Sequence, residues 1–285
     1  MPQTIGNPLS WMAQGLGHSG QHLTDSARSL GSDTTQSMPQ VRRLTNADLT
    51  EALRLGLQDF LACRTDVMFL VLLYPVIGIL LITMGVQSQM LPMLFPMIAG
   101  FALLGPAAAV GVYEVSRRRE QGHPTSWLAA LRLYEHPSFA AILMLGFYLL
   151  GVFAFWMITA SAIYAYTLGP AAPASFNSFL TSVFTTSEGW VMVIAGGSVG
   201  LLFAIVVLAV SLVSFPMLLD RRAGLPISVA TSLRLTRENP GVVLRWGAMI
   251  AAGLVLGSIP ALLGLIVILP VFGHATWHLY RRAVI

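Results

Sequence analysis

The sequence predicts an all-α polytopic membrane protein: six transmembrane helices, arranged as three repeats of an interfacial amphipathic helix followed by a two-span hairpin, with N- and C-termini cytoplasmic. Three observations carry this. Apolar runs long enough to cross a bilayer recur along the chain, arginines collect on alternate connections between them, and one short motif recurs ahead of every second run. Composition agrees, with 55% of residues apolar, 10% charged and a mean hydropathy of +0.74. A soluble domain carries about 25% charged residues, so a water-facing surface is excluded.

Two domains follow in order. Residues 1–40 are rich in Ser, Gly, Gln, Thr and Pro, with Arg28 their single basic residue. They lack the apolar core of a secretory signal and read as a disordered cytoplasmic tail. Within it, Leu9, Trp11 and Met12 form a short amphipathic patch, and His18 and His22 are not expected to bind metal. Residues 41–285 are the six-span domain.

Crossing a ~30 Å hydrocarbon core takes roughly 20 apolar residues. Val67 to Val86 is the first span and Met90 to Val112 the second, with Gln87, Ser88 and Gln89 between them. Phe139 to Tyr164 is the third; Trp190 to Leu212 is the fourth, extended to Leu219 with a turn expected at Pro216. As one helix, Val242 to Tyr280 would be roughly 58 Å long at ~1.5 Å per residue, which tilt cannot absorb. Gly257, Ser258 and Pro260 supply a break, giving spans Val242 to Ile259 and Leu262 to Tyr280.

All 16 basic residues are arginine. Arg42, Arg43, Arg54 and Arg64 precede span one; Arg117, Arg118, Arg119 and Arg132 separate spans two and three. Arg221, Arg222, Arg234, Arg237 and Arg245 lie between or beside spans four and five, and Arg281 and Arg282 follow span six. The opposite connections hold none, which is the positive-inside pattern and places both termini in the cytoplasm. A five-span chain would put Arg281 and Arg282 outside.

The repeat is marked by Leu-Arg-Leu at 53–55, 131–133 and 233–235. The second and third copies align without a gap from Gly122 and Gly224. Pro124 with Ser126 and Pro226 with Ser228 are helix-start signals, and Pro137 and Pro240 close the segments. The first copy starts at Thr45 or Asn46 and runs through Leu49, Leu53, Leu57, Phe60 and Leu61, a helical stripe. Arg54, Arg132 and Arg234 are the interfacial arginines of the three helices, suited to lipid headgroups of the cytoplasmic leaflet. Two hairpins also leave alike, with a double arginine eleven residues after Pro106 and after Pro270. Gly196 with Gly200 and Gly253 with Gly257 have the spacing of close helix packing. In the outer connection, Phe176 to Phe184 predicts a short helix, with Glu188 as an N-terminal charge on span four.

The candidate polar functional site is His274, His278 and Glu114. The histidines share a helix face four residues apart, and the repeat sets Glu114 at the position of His278, one turn inside the arginines. One reading is a metal or haem site, with Glu114 and Cys63 as the near-membrane co-ligands. The other is interfacial anchoring with Trp277 and Tyr280, or pairing of Glu114 with His278 or an arginine. The span centres hold no Asp, Glu, Arg or His, so ion-coupled transport has little to work with. No hydrolase, P-loop or dinucleotide motif stands in a usable context, and the chain is read as a non-enzyme with no cofactor and no assigned metal ligands.

The blocks VRRLTNADLTEALRLGLQDF, FALLGPAAAVGVYEVSRRRE, VSFPMLLDRR and LPVFGHATWHLYRR resemble a family of bacterial integral membrane proteins classed as a domain of unknown function, from Val41 onward. Some members carry the label cytochrome c oxidase subunit I. The haem-copper core of that subunit needs about six histidines on several spans, and two on one span do not supply it. The resemblance implies a multi-pass protein of the bacterial inner membrane and carries no activity with it. The sequence therefore points to a scaffold, assembly or accessory factor. A permease or channel-like protein for a small solute, or a haem- or metal-binding respiratory accessory protein, are the alternatives. Expected partners are the lipid bilayer and another membrane protein met through the cytoplasmic-side helices, without nucleic acid.

Overall fold

Eleven helices and one short 3-10 turn make up the described part of the chain, with no strand beyond a single bridge. The computed structural model describes residues 38–87, 90–125, 132–221, 223–260 and 262–285. The helices are α1 (Asn46–Gln87), α2 (Leu91–Leu103), α3 (Gly105–Ala108), α4 (Val110–Glu120), α5 (Phe139–Thr167) and α6 (Phe176–Thr185). They continue as α7 (Ser187–Ser211), α8 (Ser214–Asp220), α9 (Gly224–Glu238), α10 (Pro240–Ser258) and α11 (Leu265–Ala283). The tail, its amphipathic patch and most of the second repeat's interfacial helix lie outside the described residues.

Among the described residues three helical stretches are long and apolar enough to cross a membrane: Phe139–Thr167, Ser187–Asp220 and Pro240–Ser258. The stretches expected as the remaining spans are more broken helices. The stretches expected as the first interfacial helix and span one form one helix, α1, interrupted at Cys63 (φ −118, ψ 20), just before the polar run Arg64-Thr65-Asp66 gives way to the apolar residues. Span two, expected as one helix, is three, with turns at Leu104 and Ala109 around Pro106. The fourth span breaks at Val213 (φ −115, ψ −5), three residues before Pro216. Proline has no N–H and its ring clashes with the carbonyl four residues earlier, here Leu212, so the break falls upstream of the proline. The hairpin between α10 and α11 turns at residues 259–264. There Gly264 approaches Gly257 so closely that a Cβ would sit 2.7 Å from its Cα. Gly253 meets Phe272 in the same seam, whereas a Cβ on Gly196 would meet no neighbouring helix within 4 Å among the described residues.

The best-packed region is the arginine end rather than the middle of the spans. Phe215, Met217, Leu218, Trp246, Trp277 and Tyr280 are fully buried, while only 28% of the apolar window of α5 and 22% of that of α10 are. Lipid is as apolar as leucine, so mid-span residues gain little by facing protein.

One helix pair frames the site. Arg282 meets Asp48 and Glu51, Ala275 meets Gly56, and Leu262 meets Gly78. Numbers fall on one helix as they rise on the other, so α1 and α11 are antiparallel. A Cβ on Gly56 would lie 2.5 Å from the Ala275 backbone nitrogen, and only glycine permits that approach. The face of α1 turned inward is Leu49, Ala52, Gly56, Asp59, Phe60 and Cys63. Of the expected helical stripe, Leu49 and Phe60 lie on this inward face, Leu53 is half-buried, and Leu57 and Leu61 are exposed. Small residues form the seam between helices and leucines meet the surroundings, the reverse of a water-soluble helix. Val41 bridges Val284 in antiparallel sense, and Arg42 N–H donates to the Ala283 carbonyl at 2.9 Å, so the described N-terminal segment is tied to the C-terminus.

Candidate functional site

Asp59 is the centre of the polar cluster. The Gly56–Ala275 contact sets it beside α11, and a second close approach, a Gly273 Cβ position 2.8 Å from Val112, sets α11 beside α4. Three helices thus converge on one carboxylate. Asp59 Oδ2 accepts from Ser116 Oγ at 2.6 Å and from His278 Nε2 at 2.8 Å. Asp59 Oδ1 lies 3.0 Å from Arg119 Nη1, which also donates to the Gln58 carbonyl. Burial alone would raise the Asp59 carboxyl, but the hydrogen bonds from His278 and Ser116 outweigh it and hold the group below its ordinary range.

Proton counting assigns the tautomers. Ionised Asp59 only accepts, so the single Ser116 hydroxyl hydrogen is directed to it. Ser116 Oγ also lies 2.7 Å from His274 Nδ1, and in that contact serine is the acceptor and Nδ1 the donor. In the neutral ring, Nε2 of His274 is then a lone pair, and it is fully buried with no hydrogen-bond partner among the described residues.

Glu114 does not join this cluster. Its carboxylate takes Arg117 Nε at 2.7 Å and Arg118 Nε at 2.7 Å on its own helix. Burial would raise it, and the two guanidiniums bring it below the ordinary range. Among the described residues Glu114 thus pairs with arginines, and no hydrogen bond or ion pair joins it to His278. His274 and His278 are brought together, through Asp59. Arg54 pairs with Glu51 at 2.6 Å and Arg234 with Glu238 at 2.7 Å, both exposed and within one helix, while Arg132 begins the 3-10 turn Arg132–Glu135.

Two further carboxylates close the same end. Glu120 accepts from Trp277 Nε1 at 3.1 Å and from Arg281 Nε at 3.0 Å. Asp220 accepts from Tyr280 Oη at 2.7 Å and from Arg281 Nη1 at 3.0 Å. Arg221 caps the Val284 carbonyl at 3.0 Å. Asp59, Ser116, Arg119, Glu120 and Asp220 are the site residues that sequence reading missed. Their signals were Gly56 inside a helix, which costs about 1 kcal/mol unless it serves packing, and an acid beside the double arginines in RRRE and LDRR.

Residues 94–220 match the model of a family described as a predicted integral membrane protein (DUF2189). With the long apolar helices, this makes the chain an integral membrane protein. The matched stretch contains Glu114, Ser116, Arg119, Glu120 and Asp220, and ends before the C-terminal block with His274 and His278. No curated protein and no solved structure matches the chain.

Proposed function

We propose that the chain is a multi-pass protein of the bacterial inner membrane, crossing it six times in three repeats with both termini cytoplasmic. It serves, without catalysis, as a scaffold, assembly or accessory factor for another membrane protein. The observation that supports this reading is the locking of the arginine-bearing ends. Asp59, Glu120 and Asp220 tie α1, α4, α8 and α11 into one face, while Arg54, Arg234 and Arg245 stand exposed around it. A stiff face ringed by exposed cations loses little freedom on docking, and its same-helix ion pairs are worth only about 0–1 kcal/mol each, so they re-pair readily with a partner or with headgroups. Affinity purification of the tagged full chain from native membranes tests it. A co-purifying membrane protein lost in Arg54→Glu/Arg234→Glu is expected, and repeated recovery of the chain alone would sink the reading.

His274 Nε2 favours one second reading, a haem- or metal-binding accessory protein. The donor set around it is thin: among the described residues no group of three or more His, Cys, Asp or Glu is placed to hold a metal ion. An absorption spectrum and metal analysis of the purified chain decide it, and a colourless, metal-free sample removes it.

A further inference from the structure

The apolar helices leave a cavity of about 1130 Å³ between them, walled by parts of α1, α2, α3, α4, α5, α7, α10 and α11. The serine hydroxyls of the wall are already used, Ser211 donating to the Val207 carbonyl at 2.6 Å and Ser258 to the Leu254 carbonyl at 2.7 Å. Tyr113 and Thr276 stand at one end of the cavity, the end next to Ser116 and His274 and hence toward the arginines. Phe95, Phe147, Leu201 and Val255 belong to the wall and are also exposed, so the cavity opens sideways between helices.

This inference rests on the reading that these helices cross the membrane. An empty space of that size forfeits dispersion contacts along its whole lining. Water entering it would find few of the two to four polar partners that a buried water needs. A polar solute fares no better, because its lost hydration is not replaced. Hydrocarbon meets neither objection, and it is the solvent on the other side of the opening. We propose that the cavity is a binding site for the acyl chains of a membrane phospholipid, entered sideways from the bilayer with the headgroup left outside it at the membrane surface.

The test uses the full chain in phospholipid nanodiscs containing a phosphatidylethanolamine with a mid-chain diazirine, irradiated and mapped by peptide mass spectrometry. Adducts are expected on Leu208, Ile268 and Phe272 inside the wall, as well as on Ile194, which is exposed on α7 away from the cavity. Ala204→Phe, which puts a ring into the cavity from the wall beside Leu208, should lower the Leu208 adduct several-fold and leave Ile194 unchanged. Ala251→Phe, from the facing helix, does the same where Ala204→Phe fails to give folded protein. Wall adducts absent or unmoved by either filling, or chain-to-chain crosslinks through the wall positions, overturn the proposal. Labelling at Ile194 reports separately that the helices lie in the bilayer, so failure of the cavity and failure of the span assignment are distinguishable.

Discussion

His278 donates from Nε2 to Oδ2 of Asp59 across 2.8 Å, and this bond joins the first helix of the membrane domain to the last. The same carboxylate holds Ser116 and Arg119 of α4, so one side chain fixes three helices. Asp59→Ala strands a serine, an imidazole and a guanidinium together. It is expected to cost about 2–4 kcal/mol, read as a lower midpoint in chemical unfolding followed by tryptophan fluorescence. The double variant Asp59→Ala/His278→Ala should cost clearly less than the sum of its singles. Additive costs would mean that the two residues do not act on each other.

Gly56 tests the seam itself. A Cβ there meets Ala275 backbone at 2.5 Å and 2.7 Å, and neither helix backbone can yield cheaply. Gly56→Val is expected to lose about 2–3 kcal/mol or to fail to assemble. Gly151→Ala, on α5 with nothing within 4 Å of the added Cβ, should instead gain roughly 0.5–1 kcal/mol from helix propensity. Equal responses at the two glycines would refute the close approach.

How far these features are legible in the sequence depends on their physics. The long apolar helices Phe139–Thr167, Ser187–Asp220 and Pro240–Ser258 follow from local hydropathy, and the turn between α10 and α11 from length against bilayer thickness, so both can be read from residues alone. The face of α1 cannot. Periodicity gives a stripe but not which side is inward, and in lipid the leucines Leu57 and Leu61 face out while Gly56 and Asp59 face in. The Asp59 cluster draws on positions 59, 116, 119, 274 and 278, which no local pattern links. The histidines were visible because ionisable residues are rare in apolar runs. Their shared carboxylate was hidden among ordinary interfacial polar residues.

Acid should loosen the cluster. The Asp59 carboxyl sits below its ordinary value in the folded chain, so its contribution is present above the unfolded-state carboxylate range and is lost as pH falls through the lowered value. His274, His278, Ser116 and Arg119 face it, and none replaces the missing charge. Thermal midpoints of the wild type should drop on acidification through and below the carboxylate range. Asp59→Asn should show a shallower dependence over that window. Parallel curves for the two proteins would contradict the assignment.

His274 separates packing from chemistry. Asparagine places an amide N–H near the position of Nδ1 and has nothing at Nε2. His274→Asn should therefore retain the Ser116 contact and stay within about 1–2 kcal/mol of wild type. His274→Ala, which opens a cavity and removes the donor, should cost about 2–4 kcal/mol. If Nε2 itself holds a ligand, both variants lose that ligand equally despite their different stabilities. A chromophore or bound metal that survives His274→Asn is not held by this nitrogen.

Orientation can be checked with one change of background, because Cys63 is the sole cysteine and is buried. On Cys63→Ser, single cysteines are placed at Ala174, Ile259, Gln121 and Arg237, all exposed. The arginine pattern sets Gln121 and Arg237 in the cytoplasm, and the six-span path sets Ala174 and Ile259 outside. An impermeant maleimide should label Ala174→Cys and Ile259→Cys in intact spheroplasts, and Gln121→Cys and Arg237→Cys only after permeabilisation. Ile259 carries the most information. Six spans bring it to the outer surface in the turn between α10 and α11, whereas a five-span chain buries it at mid-bilayer and leaves the Asp59–His278 bond without a way to join both ends of the domain on one side. Protection of Ile259→Cys from outside, with Ala174→Cys labelled, would overturn the hairpin.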